Sequence, residues 1–121
     1  MNCTNPQLWR PLPAGSKFVI SASGDESFFN IAAGVNVNGR HEATWRHEEI
    51  VPGPRTRTIT GDERVAVHVL ISVFHDPPAS KPVKVNAHIE LPDGSVHRTF
   101  DCSSSFTQAG QFPITFFVSN K

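Results

Sequence analysis

Apolar residues recur at every second position in at least five stretches of this chain, with polar residues in the gaps. A period of two places alternate side chains on opposite faces of a β-strand. The pattern is clearest in Val83–Cys102. Val83, Val85, Ala87, Ile89 and Leu91 form one row, and Lys84, Asn86, His88 and Glu90 the other. Pro92-Asp93-Gly94-Ser95 supplies turn chemistry, with Pro presetting φ, Asp bonding its own backbone and Gly tolerating positive φ. A register of Leu91 to Val96, Ala87 to Phe100 and Val85 to Cys102 turns one apolar face of both strands the same way.

The same reasoning places strands elsewhere. Lys17–Ala22 is a short first strand, and Ser27–Val37 carries Phe29, Ile31, Ala33, Val35 and Val37 on one face. Asn38-Gly39 then signals a hairpin. A two-residue loop opposes Val35 to Glu42. A three-residue loop opposes it to Ala43 and turns Trp45 to the apolar face, which is preferred because it buries the indole. Residues 40–50 read as the return strand, with a helix as the alternative. Thr56–Thr60 suits a polar sheet edge. Arg64–His75 is the longest strand, with Val65, Val67, Val69, Ile71 and Val73 in an unbroken row; its opposite row is only half polar, which suits a central strand. Gln111–Ser119 closes the chain, with Pro113 requiring an edge or a bulge.

About seven or eight short strands separated by turns predict an all-β fold, a single antiparallel β-sandwich. The last third, a Pro-Asp-Gly hairpin followed by A-G-Q-F-P-I-T-F, resembles the end of many immunoglobulin-like domains. That resemblance covers about 35 residues and implies an immunoglobulin-like sandwich, but no activity. Residues 1–16, with Pro6, Pro11, Pro13 and Gly15, read as an extended arm docked by Trp9, and residues 17–121 as the sandwich.

Charge and composition narrow the partners. Lys+Arg 11 against Asp+Glu 11 leaves no basic field for nucleic acid or acidic membrane. No apolar run approaches the roughly 20 residues of a membrane span. The first residues lack a signal-peptide pattern, so a soluble protein is expected that is cytoplasmic, exported by a leaderless route, or a chain with its leader removed. Cys3 and Cys102 form a disulfide only if the arm runs beside the end of the hairpin.

The candidate chemistry is sparse. In the register above, His88 and His97 share an outward face, and His68 joins them if Arg64–His75 pairs with Val83–Leu91. Three imidazoles beside Glu90 and Asp101 suit zinc or copper, with an enzymatic role as a further alternative. A solvated sheet face with His–Glu and His–Thr cross-strand pairs is the plainer reading. Gly24-Asp25-Glu26 and Gly61-Asp62-Glu63 resemble fragments of calcium loops. No nucleophile elbow, P-loop or dinucleotide motif occurs. Arg40, Arg46, Arg55, Arg57 and Arg64 surround Trp45 in sequence and suit an anionic glycan or a peptide; solvent-facing arginines balanced by Glu42, Glu48, Glu49 and Glu63 are the plainer alternative. Leu70, Phe74 and Phe117 fall on the non-core parity: exposed, they mark a contact surface, most simply a homodimer, and covered by a loop or the N-terminal arm they carry no further meaning.

The sequence therefore predicts a non-enzymatic recognition module for a glycan or protein surface, self-associating, with Trp45, Arg46, His47, Arg55 and Arg57 as ligand contacts. A metal site at His68, His88 and His97, and a structural module of a larger assembly, are the alternatives.

Overall fold

The computed structural model describes residues 6–24, 29–74, 83–103 and 109–120. Two sheets face each other. The elements in chain order are β1 (Gln7–Trp9), β2 (Lys17–Ser23), β3 (Phe29–Val37), β4 (Arg40–Trp45), α1 (His47–Ile50), β5 (Arg55–Thr58), β6 (Arg64–Val73), β7 (Lys84–Glu90), β8 (Val96–Cys102) and β9 (Gly110–Ser119). One sheet has five strands in the order β1-β9-β6-β3-β4, and the other has four in the order β5-β2-β7-β8. Among the described residues only β1, beside β9, pairs in parallel; the other pairs are antiparallel.

The alternating rows become the two inner faces. Val65, Val67, Val69, Ile71 and Val73 of β6 are all buried, as are Phe29, Ile31, Ala33 and Val35 of β3. They meet Phe18, Ile20 and Ala22 of β2 and Val85, Ala87 and Ile89 of β7 in one cluster. The Phe18 ring joins the layers, with centroids 5.1 Å from Phe116 and 6.4 Å from Trp45. The described part of the expected arm, residues 6–16, packs on this body: Trp9 is buried, with its ring 5.1 Å from Phe116, and Leu12 donates its N–H to the Ser119 carbonyl.

β6 is central, as its two-sided apolar character requires. Its neighbours are β3 and β9, not the Val83–Leu91 strand. β5 is a sheet edge. Pro113 faces Leu70 on one side, while β1 covers Phe116–Val118 on the other, so among the described residues the strand's second edge has no partner strand where the donor is missing. In immunoglobulin domains the last two strands are neighbours within one sheet. Here the β7–β8 hairpin lies in the four-stranded sheet, between two strands, β6 and β9, that pair in the other.

Both hairpins contain a bulge. Asn38 (φ 51°) and Gly39 (φ 82°) form the two-residue turn, and the register slips between Val35 and Asn36. The turn is thus two residues long, yet Val35 still faces Ala43 and Trp45 still points inward opposite Ala33. In the β7–β8 hairpin, Ala87 pairs with Phe100 and Val85 with Cys102 as expected, but the outer end slips by one. Glu90, not Leu91, faces Val96, and Arg98 adopts φ 53° at the irregularity. The turn itself closes through the Asp93 carboxylate, which accepts the Ser95 N–H at 2.9 Å and its hydroxyl at 2.6 Å.

Residues 40–50 combine both expected conformations. β4 ends at Trp45, and one helical turn follows, with the Arg46 N–H donating to the Glu49 carboxylate at 3.1 Å. The turn carries Ile50 into the core.

Candidate functional site

Among the described residues, five large apolar side chains are exposed: Leu8 at 57%, Leu70 at 40%, Phe74 at 59%, Val96 at 61% and Phe117 at 37%. All but Val96 sit on or just beyond the outer face of the five-stranded sheet. Register assembles that face row by row. Leu8 lies beside Phe117, Phe117 beside Ala66, and Ala66 beside Asn36. The next row is Thr115, His68, Gly34 and Thr44, and the one after is Pro113, Leu70 and Ala32. Directly opposed side chains in antiparallel strands stand roughly 5 Å apart, so these residues are continuous. Ala32, Gly34 and Ala66 keep the middle low. Phe74 extends Leu70's parity one residue past β6.

His68 is the polar group at the centre. Its Nδ1 lies 3.4 Å from the Thr115 hydroxyl, and its ring stands edge-on to Phe117 at 6.5 Å. Leu70, Phe74 and Phe117 were visible in the sequence. Leu8 was not, because a three-residue strand carries no periodicity; its only signal is its place beside the buried Trp9.

The residues expected to contact a ligand lie elsewhere and are otherwise engaged. Trp45 is 4% exposed, stacked on Phe18 at 12° between planes. It is a core residue, which corrects its expected role as a contact platform. His47 takes the place that the next β4 residue would fill: its Nδ1 accepts the Ile31 N–H at 3.1 Å and its ring lies 5.2 Å from Phe29. Arg46 is exposed at the start of α1. Arg55 pairs with Glu49 at 3.3 Å and sits 6.0 Å over the Trp45 ring.

Arg57 is a clamp between the two sheets. From edge strand β5 its Nε and Nη2 each donate to the Glu42 carboxylate on edge strand β4 at 2.8 Å. Nη2 also donates to Glu63 at 2.7 Å and Nη1 at 3.2 Å, and Nη1 reaches the Thr58 carbonyl. Glu63 in turn accepts the Thr60 N–H at 2.7 Å and hydroxyl at 2.6 Å. These bonds, those from Arg57 first, hold the Glu63 carboxyl down at about 2. Arg57 likewise lowers Glu42, and the two carboxylates raise the guanidinium. The plainer alternative for these arginines, neutralisation by nearby glutamates, describes Arg55 and Arg57.

The expected metal ligands are not brought together. β6 lies in one sheet and β7 and β8 in the other, so His68 is on the opposite outer face from His88. The slip in the hairpin sets His97 opposite Ile89 instead of Glu90, out of line with His88. His88 contacts Glu90 at 3.3 Å. Among the described residues no group of three or more His, Cys, Asp or Glu side chains gathers as a metal site for zinc, copper or calcium. In the Gly61-Asp62-Glu63 turn, Arg57 and Thr60 already occupy the Glu63 carboxylate; Asp25 and Glu26 lie outside the described residues. Cys102 is disulfide-bonded, and Cys3, the other cysteine of the chain, lies outside the described residues. Among the described residues no helix is long and apolar enough to cross a membrane.

A scan against models of protein families, a search of curated proteins and a search of solved structures each return no match.

Proposed function

We propose that this protein is a non-enzymatic recognition module whose partner is a protein surface, in the first instance a second copy of itself, met through the outer face of the five-stranded sheet. The observation that carries this reading is the concentration of exposed apolar side chains, Leu8, Leu70, Phe74 and Phe117, at one face. Isolated exposed apolar residues are ordinary, whereas a contiguous patch marks a contact surface. The low centre of Ala32, Gly34 and Ala66 suits a flat opposing sheet, and sheets pack face to face about 10 Å apart when their side chains interdigitate. A two-fold arrangement sets the same patch against itself and needs no second complementary surface. The glycan reading loses its aromatic platform with Trp45 in the core. The immunoglobulin-like comparison extends to two packed antiparallel sheets, an architecture that serves many recognition domains.

Sedimentation velocity over a range of concentrations tests this. The full chain is expected to shift from monomer to dimer as concentration rises, and Leu70→Glu, which sets like charges against each other across the two-fold, is expected to hold it monomeric with an unchanged circular dichroism spectrum. A wild-type chain that stays monomeric at millimolar concentration, or a dimer indifferent to Leu70→Glu, would remove the reading.

A further inference from the structure

At one end of the same face the chain builds a cavity of about 210 Å³ whose lining includes Arg10, Gly39, Arg64, Val65, Ala66 and Phe117. We propose that this cavity is a binding site for a small monocarboxylate with an apolar body, about one ring in size. The proposal goes beyond self-association and does not depend on it.

Three features of the chain converge here. The first is charge. Arg10 follows β1 and Arg64 opens β6. Among the described residues neither guanidinium is ion-paired, and Glu63, the chain neighbour of Arg64, is held by Arg57. A guanidinium presents a planar fork of donors that matches a carboxylate. The second is apolar lining. The Phe117 ring and the Ala66 methyl give an apolar ring a place to leave water, which a small ion without an apolar body cannot use. The third is room. A cavity of about 150 Å³ accommodates benzene, so this one has space for a ring and its carboxylate but falls short of drug-sized pockets of about 300 Å³ or more.

The backbone explains why the cavity is there. The Asn38 side chain accepts the Arg64 N–H at 2.9 Å, and the Asn38 N–H donates to the Arg64 carbonyl at 2.9 Å. These two bonds lock the β3–β4 turn against the start of β6. Gly39, next in the turn, has nothing within 4 Å of where a Cβ would stand, so the turn forms a wall without filling the space. β1 brings Arg10 in from the other side by pairing Trp9 with Val118.

The test is a titration followed by amide NMR, with phenylacetate, its neutral analogue phenylacetamide, and acetate as probes. Leu70 does not line the cavity, so the monomeric Leu70→Glu chain and the wild type at dilute concentration serve side by side, and failure of self-association leaves the result readable. Phenylacetate is expected to saturate, with shifts centred on Gly39, Arg64, Ala66 and Phe117. Arg64→Gln and Arg10→Gln, both at exposed side chains, are each expected to weaken it roughly tenfold, the loss of about one charge-assisted hydrogen bond. Phenylacetamide bound as tightly as phenylacetate, acetate bound as tightly as phenylacetate, no saturation, or indifference to both arginine substitutions each overturns the proposal.

Discussion

Arg57→Met removes the clamp between the two sheet edges while keeping the packing of the arginine stem. What remains is Glu42 and Glu63 facing each other without their shared cation. The magnitude follows from Glu63, whose carboxyl is lowered from the ordinary 4.5 to about 2. At about 1.4 kcal/mol for each tenfold change in acidity the whole shift is worth about 3.5 kcal/mol, a ceiling for what Arg57 supplies to Glu63 because the Thr60 bonds account for part of it. The Arg57 and Glu63 side chains keep 18% and 15% of their exposure, and Glu42 keeps 42%, so solvent screening reduces the expected loss to about 2 kcal/mol. For a chain of this length that corresponds to a fall in Tm of about 6–8 °C at neutral pH. The sign with pH is fixed by the direction of the shift. A carboxyl lowered in the folded state stabilises fully above about 4.5 and loses that contribution as pH falls toward about 2. The gap between wild type and Arg57→Met therefore closes over that window. Calorimetry or urea denaturation at pH 7, 4 and 2.5 measures it, with Arg55→Met as the control. That substitution should cost less than about 1 kcal/mol, since Arg55 is half exposed and singly paired. An Arg57→Met chain within 1 °C of wild type at pH 7, or a gap that persists unchanged at pH 2.5, would refute the clamp.

Other substitutions read the packing. Trp45→Ala should cost about 3–5 kcal/mol in chemical denaturation, as for a buried aromatic, while leaving any concentration-dependent association to be read from the folded fraction; a loss below about 1 kcal/mol returns the indole to the surface. Gly53→Ala should destabilise by about 2 kcal/mol or more, because Gly53 has φ 73° and an added Cβ meets the Ile50 carbonyl at 2.7 Å. Gly34→Ala should be neutral or stabilising by up to about 1 kcal/mol, since nothing lies within 4 Å of its Cβ position in the middle of β3. Arg98→Gly relieves a left-handed arginine at the β7–β8 irregularity and should raise stability by about 1 kcal/mol in urea unfolding, whereas a loss of stability would mean that the arginine side chain supports the bulge.

Period-two alternation was enough to locate β2, β3, β6, β7, β8 and β9 and to sort their inner from outer residues, because burial of one face enforces it. It does not say which strand lies beside which. That is why His68 was grouped with His88 and His97: the row of β6 is legible, but its partners β3 and β9 are set by the packing of the whole chain. Bulges are hidden for a related reason. Asn38-Gly39 announces a two-residue turn, and the slip after Val35 is needed only to bring Trp45 inward. At Arg98 no glycine announces the left-handed residue, so the slip that displaces His97 has no local sign. Trp45 carried two incompatible expectations, burial by register and contact by chemistry. Burial prevails because Phe18 and the inner face of β3 leave an indole-sized place for it. Leu70, Phe74 and Phe117 were legible because they violate the rule that outward positions are polar, whereas Arg10 and Arg64 come together only through the pairing of β1 with β9 and of β9 with β6.

The most direct measurement is an isotope-filtered NOE spectrum of a mixed sample, one half labelled and one half not, at a concentration where sedimentation shows dimer. Contact through the outer face of the five-stranded sheet predicts intermolecular NOEs from the Leu70 and Ala66 methyls of one copy to the Phe117 ring or Leu8 methyls of the other. Intermolecular NOEs confined to β2, β7 and β8, or none at any concentration, contradict it.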